Sequence, residues 1–360
     1  MEKVKQMENN HSTYPRIIGL GTSNPSTCYS QTSVAEMFGH NSPRIRKLFE
    51  NSHIKTRYLY LPKPDEDGLI QQEDSFTLQK KHLEGTVEMG SDAIGICLAE
   101  RGLEIKDIDF LVCVSSTGFL CPGVSAYIKK ELDFKENVRR VDILGMGCSA
   151  GINGLKLATD FCSAHPTKNA LVLMTEVCSA AYFVDGTLST AVVNSLFGDG
   201  TAALLVSSDK NHLWSDGPEV IDFESETISS SIDAMKYNIV DGMMSFYLDR
   251  DIPYVIGSSI HKPIERILER NDLEVRDIDH WIIHSGGKKV IDSIKYNINI
   301  TNHDVRHTLD VLRDHGNMSS CSFMFSYNRL RQENIVKEGN YGLAVTMGPG
   351  VAIETALLRW

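Results

Sequence analysis

The feature that most restricts this chain is an internal echo. The segment Leu103-Glu104-Ile105-Lys106-Asp107-Ile108-Asp109, with the apolar run Phe110 to Ser115, returns as Leu273-Glu274-Val275-Arg276-Asp277-Ile278-Asp279 and His280 to Ser285, displaced by 170 residues (273 against 103) with six identities. A second echo sets Phe197-Gly198-Asp199-Gly200 and TAALLV against Met347-Gly348-Pro349-Gly350 and VAIETALL. Two matches in the same order indicate duplication, and their period is far too long for a solenoid. At 360 residues the chain is long enough for two such halves packed on each other.

The remaining pattern alternates short apolar, β-branched runs with longer helical stretches, the mark of an α/β protein. Buried strands are expected at 16–21, 109–115, 138–144, 170–175, 201–207, 281–284 and 342–347. Helices are expected at 43–50, 76–101, 123–132, 151–164, 187–196, 253–271, 287–295, 304–313 and 319–331. Pro43 after Ser42 is a sound helix start. Segments 62–75 and 208–220 read as surface loops, the second as the seam between a half at 16–210 and a half at 211–360. Residues 1–15 are polar and mixed in charge, and read as a flexible leader or linker.

Charge and cysteine usage exclude several function classes. Acids outnumber bases by 47 to 36, for a net charge of −11, so a general nucleic-acid surface is not expected and a polyanionic ligand needs a local basic patch. No stretch has the length of a membrane span. The eight cysteines form no C-x-x-C pair, which argues against a metal cluster. Most sit in apolar runs as reduced, buried residues, as in a cytoplasmic protein.

Three short segments carry chemistry. In Gly145-Met146-Gly147-Cys148-Ser149-Ala150-Gly151, a strand stops at small residues and turns into a helix. That places Cys148 at a helix head, where free N–H groups and the macrodipole favour a thiolate and lower its pKa. His284 ends the strand from His280 and runs into Ser285-Gly286-Gly287; its counterpart in the first half is Val114, so the imidazole departs from the repeat. Asn317 follows Gly316 in Asp314-His315-Gly316-Asn317-Met318-Ser319-Ser320, where glycine permits a left-handed turn. Each segment alone is an ordinary turn. Together, thiol, imidazole and carboxamide suit a nucleophile activated by a base and two donors for a developing enolate oxygen, which is the equipment for carbon–carbon bond formation by decarboxylation.

These segments, with Gly19-Leu20-Gly21-Thr22-Ser23-Asn24-Pro25, Ile54 to Leu61, Leu196-Phe197-Gly198-Asp199-Gly200 and Gly348-Pro349-Gly350, resemble the type III polyketide synthases, the chalcone and stilbene synthase family. The likeness runs from Ile17 to Trp360. It implies a duplicated αβαβα thiolase-like fold in five layers, a homodimer, and an iterative acyltransferase that needs no metal or redox cofactor. The polar leader and the Lys/Asn/Ile-rich composition also resemble the C-terminal condensing domain of Steely-type hybrid synthases.

The resemblance assigns roles residue by residue. Cys148 matches the acyl-accepting cysteine, and His284 and Asn317 match its partners in binding the malonyl thioester. Phe197 and Phe246 match two gatekeeper phenylalanines, while Cys178, Ala181 and Tyr237 fall on cavity-wall positions. Arg44 and Lys47, three apart on one helix face with Lys55 and Arg57 close behind, match cations that hold coenzyme A phosphates. A third usual lysine is here Asn51, which raises the expectation of weaker coenzyme A binding or of an acyl-carrier-protein starter. Other departures are Ser285 for a usual proline, Cys121 for a usual methionine, and small residues at 180 and 181. The implied reaction loads an acyl starter on Cys148, extends it with malonyl-CoA and closes an aromatic ring or pyrone. A single-round β-ketoacyl carrier synthase and a non-catalytic scaffold are the alternatives.

Overall fold

The computed structural model describes residues 14–40, 42–209, 217–240 and 242–360. Most of the expected leader, and the expected seam at 210–211, lie outside the described residues. The strands are β1 (Arg16–Ser23), β2 (Cys28–Ser30), β3 (Thr56–Tyr58), β4 (Ile108–Val114), β5 (Arg139–Ile143), β6 (Asn169–Glu176), β7 (Gly200–Ser207), β8 (Glu219–Thr227), β9 (Met235–Val240), β10 (Met243–Leu248), β11 (His280–Ile283), β12 (Tyr341–Gly348) and β13 (Ala352–Arg359). The helices are α1 (Gln31–Met37), α2 (Pro43–Glu50), α3 (Ser75–Ala99), α4 (Val124–Glu131), α5 (Ala150–Ala164), α6 (Leu188–Leu196), α7 (Ile252–Ser259), α8 (His261–Arg270), α9 (Lys288–Ile298), α10 (Arg306–His315) and α11 (Ser322–Glu333).

Pairing reproduces the duplication. The main sheet runs β11-β12-β13-β8-β1-β7-β6-β4-β5. Outward from the centre, β1 meets β7 and β7 meets β6 antiparallel, and β6 then pairs β4 in parallel. On the other side β8 meets β13 and β13 meets β12 antiparallel, and β12 then pairs β11 in parallel. The echoed sequences therefore occupy equivalent places, β4 with β11 and β7 with β13. The turn before each outer strand is the same object: a 3₁₀ turn closed by a reciprocal capping box, Glu104 with Asp107 and Glu274 with Asp277. The half-sheets join through one register pair, Arg16 with Glu219, reinforced by their ion pair at 2.9 Å.

Strand alternation sorts side chains into layers. On β4, Val112 and Val114 enter a cluster shared with α5, α11, β12 and β13, whereas Leu111 and Cys113 enter a cluster on the opposite face beneath α3 and α4. A third cluster packs α7, α8 and α9 on the outer face of the second half. The order is thus helices, half-sheet, a central pair α5 and α11, half-sheet, helices: the five-layered αβαβα arrangement. β6 is buried at every position, which explains its continuous apolar run. Among the described residues no helix is long and apolar enough to cross a membrane.

Several element readings are corrected. The helix expected at 253–271 is two, α7 and α8, meeting at Ile260; Pro263 lacks the N–H that would bond back across the junction. The strand at 138–144 forms as β5 but is a half-exposed sheet edge, not a buried strand. Glu219 and Val220, expected in a loop, open β8. That strand's charged outer face serves an Arg266–Arg270 ladder to Asp222, Glu224 and Glu226, so it carried no apolar signal. The β9–β10 hairpin carries no continuous apolar run either: β9 alternates Met235, Tyr237 and Ile239 with Lys236 and Asn238, and Ile239 at its far end is exposed.

Candidate functional site

Cys148 lies in a 3₁₀ turn, Gly147–Ser149, that runs directly into α5. Gly147 makes this possible: its φ is 55°, and a Cβ there would sit 2.2 Å from Pro349 Cδ. The Cys148 turn of the first half therefore presses on the Gly348-Pro349-Gly350 turn of the second. Gly316 makes the reciprocal approach, with φ 73° and a Cβ position 2.8 Å from the Leu196 carbonyl. Next to it, the Asn317 N–H donates to Leu196 O at 3.0 Å and the Asn317 carbonyl accepts from the Gly198 N–H at 2.9 Å. This two-sided backbone bond holds Asn317 beside Phe197.

Cys148, His284 and Asn317 line one cavity of about 1020 Å³, together with Phe197, Phe246 and Tyr237. Cys178 and Ala181 are on the same wall. Cys148 Sγ donates to Ser319 Oγ at 3.5 Å, and the Ser319 N–H donates to Asn317 Oδ1 at 2.8 Å, leaving the Asn317 amide N–H groups for the cavity. Among the described residues no hydrogen bond joins Cys148 to His284; the thiol's partner is the hydroxyl of Ser319, a residue expected only to open a helix. His284 is 1% exposed and its Nδ1 has no partner. Phe197 and Phe246 meet edge to face at 5.5 Å and 89°, and Tyr237 packs on Phe246 at 5.1 Å, so three aromatic rings form one side of the chamber.

Electrostatics correct one expectation. Burial pushes the Cys148 thiol up to about 12, against opposing hydrogen bonds from Ser319 and Asn317. The helix head does not outweigh desolvation in the apolar cavity. Burial also brings the His284 imidazole down to about 3, so thiol and imidazole face the cavity as a neutral pair. Behind them Glu176 is fully buried and raised to about 7 by desolvation. It accepts from Ser320 Oγ at 2.5 Å and from the Ser116 N–H at 3.0 Å. No sequence signal marked Glu176, since it closes the apolar run of β6.

The basic residues divide. Lys47 lines the cavity mouth, as does Asn51, whereas Arg44 is exposed on α2 and off the cavity wall. Arg57 is not a surface cation. It is 0% exposed, donating from Nε to Gln31 Oε1 at 2.9 Å and from Nη1 to Tyr182 Oη at 2.9 Å, Asn194 O at 2.7 Å and Phe197 O at 2.6 Å. It ties the Phe197 backbone to α6 instead of meeting a ligand.

Comparison with known proteins agrees with this geometry. The family described as "Chalcone and stilbene synthases" matches with its N-terminal domain over residues 2–210 and its C-terminal domain over residues 222–360. The chain is 47% identical over 351 residues to the 3,5-dihydroxyphenylacetyl-CoA synthase of Streptomyces toyocaensis, covering 96% of this chain and 90% of that protein. Among solved structures it resembles PKS-I of the brown alga Ectocarpus siliculosus, with a TM-score of 0.89, 27% identity and coverage of 98% and 100% of the two chains. The C-terminal type III polyketide synthase domain of Steely1 from Dictyostelium matches with a TM-score of 0.88, 27% identity and coverage of 96% and 99%. The chain belongs to the chalcone and stilbene synthase family of type III polyketide synthases, condensing enzymes that transfer acyl groups.

Proposed function

We propose, from membership of this family, that the chain builds a short poly-β-keto chain from malonyl-CoA and closes it to 3,5-dihydroxyphenylacetyl-CoA, the product named for its 47% identical relative. Coenzyme A thioesters are its substrates, and the chemistry calls for no other cofactor. The observation that carries the reading is the single chamber shared by Cys148, His284 and Asn317, to which the first half (16–210) contributes the thiol and the second (211–360) the imidazole and amide.

The steps follow from the groups present. The Cys148 sulfur attacks the starter thioester and forms an acyl-enzyme, while the thiol proton passes to the departing coenzyme A sulfur, which leaves as the free thiol. Malonyl-CoA then enters with its thioester oxygen between a His284 N–H and the Asn317 amide. A neutral imidazole donates a hydrogen bond without a full charge, and the two donors stabilise the enolate left when CO2 departs. The enolate carbon attacks the acyl carbon, and the Cys148 thiolate leaves. Apolar walls exclude water, which protects both thioesters from hydrolysis. Phe197 and Phe246 border the chamber as gates, and Cys178, Ala181 and Tyr237 shape the space in which the chain folds.

The enzyme works as a homodimer in the cytoplasm. The free edge of β5 and the exposed apolar residues Phe119, Leu144 and Leu157 on the first half support the dimer. Mass spectrometry of products from malonyl-CoA as sole substrate tests the reaction. 3,5-Dihydroxyphenylacetyl-CoA is expected; an aliphatic β-ketoacyl product from a single condensation refutes it.

A further inference from the structure

The cavity mouth contains a cation that the linear sequence does not associate with coenzyme A. α9 begins directly after Ser285-Gly286-Gly287, and its first two residues, Lys288 and Lys289, line the same opening as Lys47 of α2 and Asn51, which caps that helix.

The cations at this opening differ in what they already hold. Lys288 is bound to Asp292 one turn along its own helix, and Lys236 on β9 is bound to Asp233 at 3.0 Å. Arg250 lies 3.7 Å from Asp251. Among the described residues Lys47 and Lys289 have no ion pair. Lys289 is also in the wrong place for helix stability, because a cation in a first turn opposes the macrodipole. Lys288 is relieved of that conflict by its i,i+4 aspartate; Lys289 is exposed and is not. On a chain of net charge −11, an unpaired cation facing a cavity mouth is a local attraction for a polyanion.

We infer that Lys289, with Lys47 at the same opening, holds the phosphates of the coenzyme A thioester, supplying from α9 the cation that Asn51 does not supply at the end of α2. The inference deepens the proposed function and rests on coenzyme A thioesters being the substrates. A lysine ammonium acts on phosphate as a point charge, with no need of the paired geometry of arginine. Its position on the second half keeps it far in sequence from the cations of α2.

The test compares malonyl-CoA with the malonyl thioester of N-acetylcysteamine, which has the same reacting atoms and no phosphate. For an exposed, salt-screened charge, Lys289→Ala raises KM for malonyl-CoA about three- to fivefold. Lys289→Glu raises it further, and both effects shrink as NaCl is raised. The N-acetylcysteamine thioester loses much less, and adding Asn51→Lys to Lys289→Ala restores malonyl-CoA affinity. Equal losses for the two thioesters, or no loss for malonyl-CoA, overturn the inference. Calorimetric titration with free coenzyme A separates it from the reaction assignment. Weaker binding by Lys289→Ala upholds the phosphate role even if the chain forms no polyketide. Wild-type protein that binds no coenzyme A overturns the role whatever the reaction.

Discussion

Removing the Ser319 hydroxyl probes how the cavity makes a nucleophile from a thiol that burial holds near 12. The hydroxyl stands 3.5 Å from Cys148 Sγ, and it and Asn317 are the side chains that favour the thiolate. A hydrogen bond to a charged group contributes about 1.5–3 kcal/mol. Its loss raises the thiol pKa by about one to two units at 1.36 kcal/mol per unit. Below the pKa, each unit removes about nine-tenths of the thiolate, while the more basic sulfur regains part of that through higher intrinsic reactivity, with a Brønsted slope of about 0.45. The net expectation is a fall of about three- to tenfold in the rate of Cys148 alkylation by iodoacetamide, read by mass spectrometry of the Cys148 peptide at fixed pH. Two variants separate chemistry from strain. Ser319 has φ 52°, which glycine adopts freely and alanine does not, so Ser319→Gly and Ser319→Ala share the lost hydroxyl but differ in backbone cost. Equal slowing in both confirms the account. Wild-type rates in both refute it and leave the thiolate to Asn317 and the helix head.

Glu176 gives a stability prediction with a definite sign. Its carboxyl is raised by burial from 4.5 to about 7, so the fold favours its protonated form. The associated stability is fully present below pH 4.5 and is lost as pH rises to about 7; the linked change is about 3 kcal/mol. Glu176→Gln is therefore expected to remove that part of the pH dependence, read as the difference between wild-type and variant denaturant midpoints across that window. Parallel curves contradict it. At the chamber wall, Tyr237→Ala removes a ring that packs 5.1 Å from Phe246, and product mass spectra are expected to gain species longer by two-carbon units. An unchanged product set shows that Tyr237 does not limit the chain.

Much of the architecture was legible because duplication leaves its mark on turns as well as strands. Glu104-x-x-Asp107 and Glu274-x-x-Asp277 are echoed in sequence and form the same capped turn before equivalent strands. Strands buried on both faces, such as β6, were also visible as unbroken apolar runs. β8 was not, because its Asp222, Glu224 and Glu226 pair with arginines on α8, and pairing of this kind is a property of the assembled fold. At the candidate site, the small-residue turns that bring Cys148, His284 and Asn317 to one cavity are legible in sequence, since close approach of the two halves demands glycine at 147 and 316. The thiol's pKa was not legible, because the helix-head effect is local in sequence whereas the desolvation comes from the assembled chamber. Arg57 looked like a surface cation beside Lys55. Period-two alternation through β3 buries it, where it bonds three elements that are distant in sequence. Ser319, Glu176 and Lys289 became functional candidates only once the halves were packed together.

The central claim is that Cys148 takes up the acyl group in a chamber whose enolate donors come from the other half of the chain. Intact-protein and peptide mass spectrometry after brief incubation with malonyl-CoA tests it most directly. The account predicts an acyl adduct on the Cys148 peptide of the wild-type protein, and neither adduct nor aromatic product from Cys148→Ala. An adduct on another residue, or undiminished product from Cys148→Ala, contradicts it.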